Sequence, residues 1–346
     1  MGETMRAWQT VRAGTPREAL ALRGDAPVPA PREGTVLVDV AAAGIGLPDA
    51  LMCEARYALT PPLPFTQGQE VAGRIAALGP GAEGLRVGER VMAVTSFFTG
   101  HGSFAERCLG LADFCLPVPD DMSDAEAACF LIPLHTAYIG LVQRARLAKG
   151  ETLLVLGASG GTGSAAVQVG RALGARVIAA AGGPEKARYC AEQGAHDVVD
   201  HRAEDVAKVV QALTGGRGAD VVYDPVGGDA FRAATRCIAH EGRLLAVGFA
   251  SGSWGTVDTA HLVNRNYSVL GVMPSGYDVA FKRAAQERLV GWWREGRVGV
   301  AVDELVAFEA LPDALERLVA NRVRGKLALA VREDATRSPA RAPARA

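Results

Sequence analysis

The chain has no segment that reads as a sorting signal. Met1-Gly2-Glu3-Thr4-Met5-Arg6 carries no apolar core, and Arg6 breaks the N-terminal acylation pattern, so a cytoplasmic protein is expected. A run long enough to span a bilayer is also missing. The most apolar stretch, residues 127–142, contains Pro133 and His135 and reads as a buried helix and turn. Charge of one sign is not in excess: 37 Lys plus Arg stand against 38 Asp plus Glu, which leaves no global field for nucleic acid or an anionic membrane surface. There is no C-x-x-C pair. The six cysteines (53, 108, 115, 129, 190 and 237) are scattered, which argues against a disulfide framework or zinc knuckle and fits reduced thiols. No internal repeat is present.

What the chain has in plenty is glycine. Its 41 glycines lie mostly at the ends of apolar runs, the mark of many tight turns and close backbone approaches. With 346 residues, 49% hydrophobic and 22% charged, the chain is long enough for two soluble domains with separate cores. Three styles of sequence follow one another. Residues 1–122 are rich in Gly and Pro, with short apolar runs such as 35–40 and 71–75 bounded by turn residues; these predict a partly antiparallel sheet or barrel. Residues 123–267 alternate apolar strands (152–156, 176–180, 197–199, 220–223, 243–247) with helical stretches (164–173, 184–193, 204–213), the rhythm of a parallel sheet covered on both faces. Residues 268–334 mix strands with helices near 278–295 and 311–320 and are expected to complete the first domain. The tail 335–346 has no hydrophobic period and is expected to be disordered. The fold class is therefore α/β, a β-rich domain plus a doubly wound dinucleotide-binding domain.

The most informative segment is Thr152-Leu-Leu-Val-Leu-Gly157-Ala158-Ser159-Gly160-Gly161-Thr162-Gly163-Ser164. It ends a strand and opens a helix, the context in which glycines let backbone N–H groups close on a pyrophosphate at the positive end of a helix. Ala158 holds the first glycine position, so the motif is a variant. Selection between the two nicotinamide dinucleotides falls at the end of the next strand. An NAD site normally places an acid there for the ribose 2′-hydroxyl, whereas here Ala181 is followed by Gly182 and Gly183. Small residues leave room for a 2′-phosphate. Lys186 is the first candidate to oppose its charge, with His201 and Arg202 second, and Glu185 is the one residue arguing the other way. NADPH is the expected cofactor.

The order of motifs resembles the medium-chain dehydrogenase/reductase superfamily, and within it the quinone oxidoreductase, or zeta-crystallin-like, branch. The carrying segments are 43–49 (AGIGLPD), 62–73 (PLPFTQGQEVAG), 88–91 (GERV), 135–138 (HTAY), 157–163 (GASGGTG), 222–227 (VYDPVG) and 324–326 (RGK), so that the resemblance covers residues 5–331. It implies a GroES-like catalytic domain, a Rossmann domain, a homodimer, and a small conjugated electron acceptor reduced between the domains. Zinc-dependent relatives place metal ligands where this chain has Gly46, Gln69 and Ile132; Glu70 alone is retained, and a four-cysteine lobe is missing. One carboxylate cannot build a tetrahedral N/S site. A metal-free site is expected, and with it an acceptor that needs little help at its developing oxyanion: a quinone, an enone or an enoyl thioester such as acryloyl-CoA.

The resemblance also implies individual roles. Tyr57 aligns with a tyrosine that gives a proton or touches substrate, and Thr136 with a hydroxyl at the nicotinamide ribose or phosphate. Gly248 and Phe249 would approach the nicotinamide ribose, and Met273 the carboxamide. Asn321, Arg322 and Lys326 would face the adenine-side phosphate. Asp49 reads as a helix cap after Pro48, and His135 as a buried polar residue. Gly46 replaces the branch's usual asparagine. That loss favours a rival reading as a non-catalytic, crystallin-like or nucleic-acid-associated NADPH-binding protein. A zinc alcohol dehydrogenase is the other rival, opposed by the missing ligands.

Overall fold

The computed structural model describes residues 2–335, so that the expectation for the tail at 336–346 lies outside the described residues. These residues divide into two compact units. The first runs to Ile132 and adds Asp278–Arg283 and the described residues from Val300 onward. Strands Thr35–Ile45, Glu70–Leu78, Arg90–Thr95 and Arg107–Pro117 each pair antiparallel with the next, and the last pairs back onto the first. The four therefore close into a ring. Alternation puts Val36, Val38 and Val40 on one face of the first of these strands, where they meet Val71, Ile75, Val91 and Cys108 in the interior. Lys326–Ala330 pairs antiparallel with the first strand and parallel with Val302–Ala307. A second core joins Ala43 and Ile45 to Leu311, Ala314 and Leu315 of helix Leu311–Val319, and to Ala50 and Cys53 of helix Leu47–Cys53.

The second unit is built on six parallel strands in the spatial order Asp197–Asp200, Arg176–Ala181, Thr152–Val155, Ala219–Asp224, Ile238–Ala246 and Ser268–Gly271. Counted along the chain this is 3-2-1-4-5-6, the dinucleotide-binding arrangement of the Rossmann fold. Its strands bury both faces because helices flank them. Leu154, Ile178, Val199, Val222 and Leu244 form one core with Val210 of helix Val206–Leu213 and Phe231 of helix Gly228–Thr235.

The compact units do not change over where the sequence rhythm does. Helix Asp124–Ala127 packs on Thr35–Ile45, Glu70–Leu78 and Lys326–Ala330, so the first unit extends past residue 122. Ser268–Gly271 is the sixth strand of the parallel sheet rather than part of the first domain; at four residues with a polar start, it carries no run that sequence alone distinguishes. Helix Val279–Arg294 contributes its first residues to the first unit and the rest to the second. No helix among the described residues is long and apolar enough to cross a membrane.

Candidate functional site

In the second unit, the order of the sheet reverses between Thr152–Val155 and Ala219–Asp224, and ligands of such sheets sit beyond the carboxyl ends of the strands at that point. The chain leaves Thr152–Val155 through Gly157, whose φ of 55° lies in the left-handed region. Ala158 is buried and its N–H donates to the Ala180 carbonyl at 3.0 Å, which ties the loop to the neighbouring strand. Ser159 is buried beside it, and Gly160 caps helix Gly161–Ala172. The N–H groups of Gly161, Thr162 and Gly163 open that helix and have no carbonyl one turn back to receive them. They are the groups available to an anion. Gly163 cannot be larger: a Cβ there would stand 2.3 Å from the Gly157 carbonyl oxygen and 2.8 Å from the Ala158 Cα. Gly170, two turns on along the same helix face, lies close on Leu153, where a Cβ would stand 2.5 Å from that side chain. Sequence reading passed over Gly170, although its spacing from Gly163 is the signal of a helix lying close on a strand.

The loops after the fourth and fifth strands meet this loop. Asp224 is buried, and its Oδ1 accepts the N–H groups of Val226 and Gly227 at 2.8 and 2.9 Å. Burial raises the Asp224 carboxyl above its ordinary range. Val226 lies against Gly157, while a Cβ on Gly248 would come within 2.9 Å of the Pro225 carbonyl oxygen. Gly248 and Phe249 therefore stand at the same end of the sheet as the glycine loop, with Phe249 stacked on Trp254 at a centroid distance of 4.6 Å. Met273 is exposed beyond the sixth strand. Thr136 is buried on helix Leu131–Tyr138, and the adjacent His135 Nε2 is 2.8 Å from Gln286 Oε1.

At the end of Arg176–Ala181, the chain turns through Gly182 and Gly183 into helix Pro184–Glu192. A Cβ on Gly182 would lie 2.9 Å from both the His201 Nε2 and the Arg202 Nε. Lys186 is half-buried, and burial together with the Arg202 charge pulls its pKa below the usual lysine value. Three basic side chains thus gather about a turn that has no side chain of its own. Asp200 is the nearby acid, and its Oδ1 is occupied by the N–H groups of Gly183 and Arg202 at 2.9 and 3.0 Å, which fix the turn. Glu185 is exposed.

In the first unit, a polar cluster is sunk among the strands. Glu70 Oε2 receives the Lys326 ammonium at 2.7 Å, and its Oε1 accepts the Ile132 N–H at 2.9 Å. The Lys326 side chain is 11% exposed, so it sits in an ion pair with Glu70 and not at an open phosphate-binding edge. Burial works against its charge, but the Glu70 carboxylate prevails and holds its pKa above the usual value. Asn321 turns the chain at φ 56° after helix Leu311–Val319 and is exposed, as is Arg322. The Asp49 carboxylate accepts the Gly46 N–H at 2.8 Å through Oδ2, and its other oxygen, Oδ1, is buried without a well-formed hydrogen bond, with the Gly68 backbone nearby. Burial drives its pKa up to about 7, against the Gly46 hydrogen bond and the Lys326 charge. Tyr57 packs on Met52, Phe65 and Phe97. Burial raises its hydroxyl, the Gln69 amide beside it lowers it, and the Asp49 charge adds to the rise.

These residues do not fit a zinc ion. Gly46 and Ile132 offer no side-chain donor and Gln69 offers an amide, while both Glu70 oxygens are engaged. No group of three or more His, Cys, Asp or Glu side chains suited to a metal occurs among the described residues.

A stability prediction follows from Asp49. Its pKa is raised in the native state, so native Asp49 resists ionisation while the unfolded chain ionises near the ordinary aspartate value of 3.8. Stability is therefore complete below about pH 4, falls as pH rises, and levels off above about 7. Asn in its place keeps an oxygen for the Gly46 N–H and carries no charge. Asp49→Asn should melt above the parent protein at pH values beyond about 7, and the difference should vanish below about pH 4, as checked by melting temperature against pH.

Comparison with known proteins agrees with both units. Residues 32–120 match the alcohol dehydrogenase GroES-like domain, and residues 161–291 match the zinc-binding dehydrogenase family, whose name the ligand positions here do not satisfy. A quinone oxidoreductase-like protein 2 from Rattus norvegicus is 32% identical over 91% of this chain and 90% of its own length. The Homo sapiens quinone oxidoreductase is 32% identical over 78% and 80%. Among solved structures, the Escherichia coli quinone oxidoreductase complexed with NADPH superposes with a TM-score of 0.85 at 27% identity, covering 94% of this chain and 99% of that one.

Proposed function

The chain belongs to the quinone oxidoreductase branch of the medium-chain dehydrogenase/reductase superfamily, and from that premise we propose that it is an NADPH-dependent reductase acting on quinones or other conjugated carbonyl compounds. The observation that carries the cofactor choice is the basic corner at Gly182, where Lys186, His201 and Arg202 gather and no acid claims a ribose hydroxyl. When bound, NADPH supplies the hydride. The protein supplies position and charge. The N–H groups of Gly161, Thr162 and Gly163 hold the pyrophosphate, and Lys186 with Arg202 and His201 holds the 2′-phosphate. Gly248 and Phe249 lie along the nicotinamide ribose, Thr136 reaches the same sugar or its phosphate, and Met273 meets the carboxamide. Asn321 is assigned to the adenine-side phosphate. Tyr57, held protonated by burial, gives its proton to the reduced acceptor.

A second copy of the chain completes this reading. Ser268–Gly271 ends the parallel sheet with its outer edge unpaired among the described residues, beside helix Thr259–Arg265, in which no residue is buried. Val263 of that helix is exposed. The reading takes this face as a homodimer contact, and mass in solution decides it.

The reaction is tested by NADPH consumption with 9,10-phenanthrenequinone, a simple enone and acryloyl-CoA, each repeated with NADH. Tyr57→Phe should lower enone turnover by roughly 100-fold, the size of a lost general acid. Quinone turnover should change by less than about threefold, because water protonates the product of quinone reduction readily. Equal effects on both acceptors would return Tyr57 to packing, and no oxidation of NADPH by any acceptor would overturn the reductase reading.

A further inference from the structure

Gln69 is a buried amide with work left undone. The residue is 8% exposed, and its Nε2 is shielded and makes no well-formed hydrogen bond among the described residues, with only the Tyr57 hydroxyl beside it. An unsatisfied buried N–H group is costly, so native chains leave one mainly where a ligand or ordered water meets it. The amide is not there through looseness of the backbone. The Gln69 carbonyl accepts the Thr95 N–H at 2.9 Å. The Gly68 carbonyl beside it accepts the Thr95 hydroxyl at 2.6 Å and the Ser103 N–H at 3.0 Å. Gly68 itself has a φ of 106° and no room for a Cβ, which would meet the Ser103 Oγ at 2.5 Å. The segment is clamped so that the side chain of Gln69 stands beside the Tyr57 hydroxyl. The Lys326 ammonium is held on the Glu70 carboxylate at 2.7 Å.

Resting on the reductase reading, we propose that Gln69 is a catalytic residue whose Nε2 donates to the carbonyl oxygen of the acceptor as negative charge builds there. In an enone the acceptor gains the hydride at its β-carbon as the C–H bond of the dinucleotide breaks. The C=C electron pair becomes the new double bond between the α-carbon and the carbonyl carbon, the carbonyl π pair moves onto oxygen, the dinucleotide is oxidised by two electrons, and the enolate so formed takes a proton from Tyr57 or water. Two neutral donors, the amide and the phenol, then stand where a metal-dependent relative would place a cation. The ring surfaces of Tyr57 and Phe97, with centroids 6.5 Å apart, offer an apolar wall to the carbon skeleton.

The test is binding, independent of turnover. The full chain is titrated at neutral pH with 4-nitrophenol, whose phenolate imitates the oxyanion and reports binding by its own absorbance. Gln69→Met keeps the length and packing of the side chain without the amide, and Gln69→Glu puts acceptors where the donor was. The parent protein should bind the phenolate, and both variants should bind it at least about 10-fold more weakly, the loss expected of one hydrogen bond to a charged group. The melting temperature of Gln69→Met and the NADPH affinity of both variants should stay close to those of the parent; Gln69→Glu, which adds a buried carboxyl, should melt lower at neutral pH. Phenolate affinity within about twofold of the parent in Gln69→Met, or no phenolate binding by the parent, overturns the assignment. The reductase reading fails separately: Gln69-dependent phenolate binding without NADPH oxidation by any acceptor would keep the oxyanion site and remove the proposed reaction.

Discussion

Gly163→Ala is expected to yield a chain that folds less stably and takes up NADPH at least about 100-fold more weakly. The added methyl group would meet two main-chain atoms, the Gly157 carbonyl oxygen at 2.3 Å and the Ala158 Cα at 2.8 Å. Neither can rotate aside. Relief requires the helix Gly161–Ala172 to move off the strand, which disturbs the contact at Gly170 and costs about 1–3 kcal/mol, the usual range for overpacking. The same movement carries the N–H groups of the first turn away from the phosphates they are proposed to hold. Gly160→Ala is the control for sterics. There the φ is −82° and the nearest atom to a new Cβ is 3.5 Å away, so the fold should keep its stability. Denaturant unfolding and calorimetric titration of both variants check the pair. Parent-like unfolding and NADPH affinity in Gly163→Ala would show that the loop reshapes without cost.

Lys186→Glu should weaken NADPH by roughly 100-fold while leaving NADH within about threefold. The two cofactors differ only in the 2′-phosphate, so the contrast isolates the group that this corner is proposed to meet. Lys186 is half-buried, which makes its charge less screened than that of a surface lysine. Reversal removes one attraction and adds one repulsion. Arg202→Ala, which removes a more exposed cation, should cost about 10-fold in the same measurement. Fluorescence titration with both dinucleotides in each variant gives the numbers. Equal losses for NADPH and NADH in Lys186→Glu would place that lysine elsewhere than at the 2′-phosphate.

Much of the second unit is legible in the chain because its signals are local. A buried strand is a continuous apolar run, the glycine turn follows it directly, and Ala181-Gly182-Gly183 carries its meaning in three adjacent residues. The short strand Ser268–Gly271 and helix Thr259–Arg265 are not legible in this way, since neither has an apolar period and the second has no fully buried residue. The first unit is harder for the opposite reason. Its ring is assembled from strands far apart in sequence, and its polar cluster joins residues 49, 70 and 326. Asp49 read as a cap, which it is, but nothing local announces that a second oxygen would be buried and its pKa raised. Lys326 read as an open phosphate contact because its partner, Glu70, is 256 positions away. Gln69 was noticed for what it is not, a metal ligand. The donor role proposed for it rests on the shielding of its Nε2, which no local sequence signal carries.

The ring formed by Thr35–Ile45, Glu70–Leu78, Arg90–Thr95 and Arg107–Pro117 leaves none of these four strands with a ragged margin inside the circuit. Its integrity is thus independent of the excursion between residues 54 and 64 that carries Tyr57, Leu59 and Leu63. Evolution or an engineer can lengthen, shorten or recompose that excursion, and with it the surroundings of the proposed proton donor Tyr57, without unravelling the scaffold beneath it.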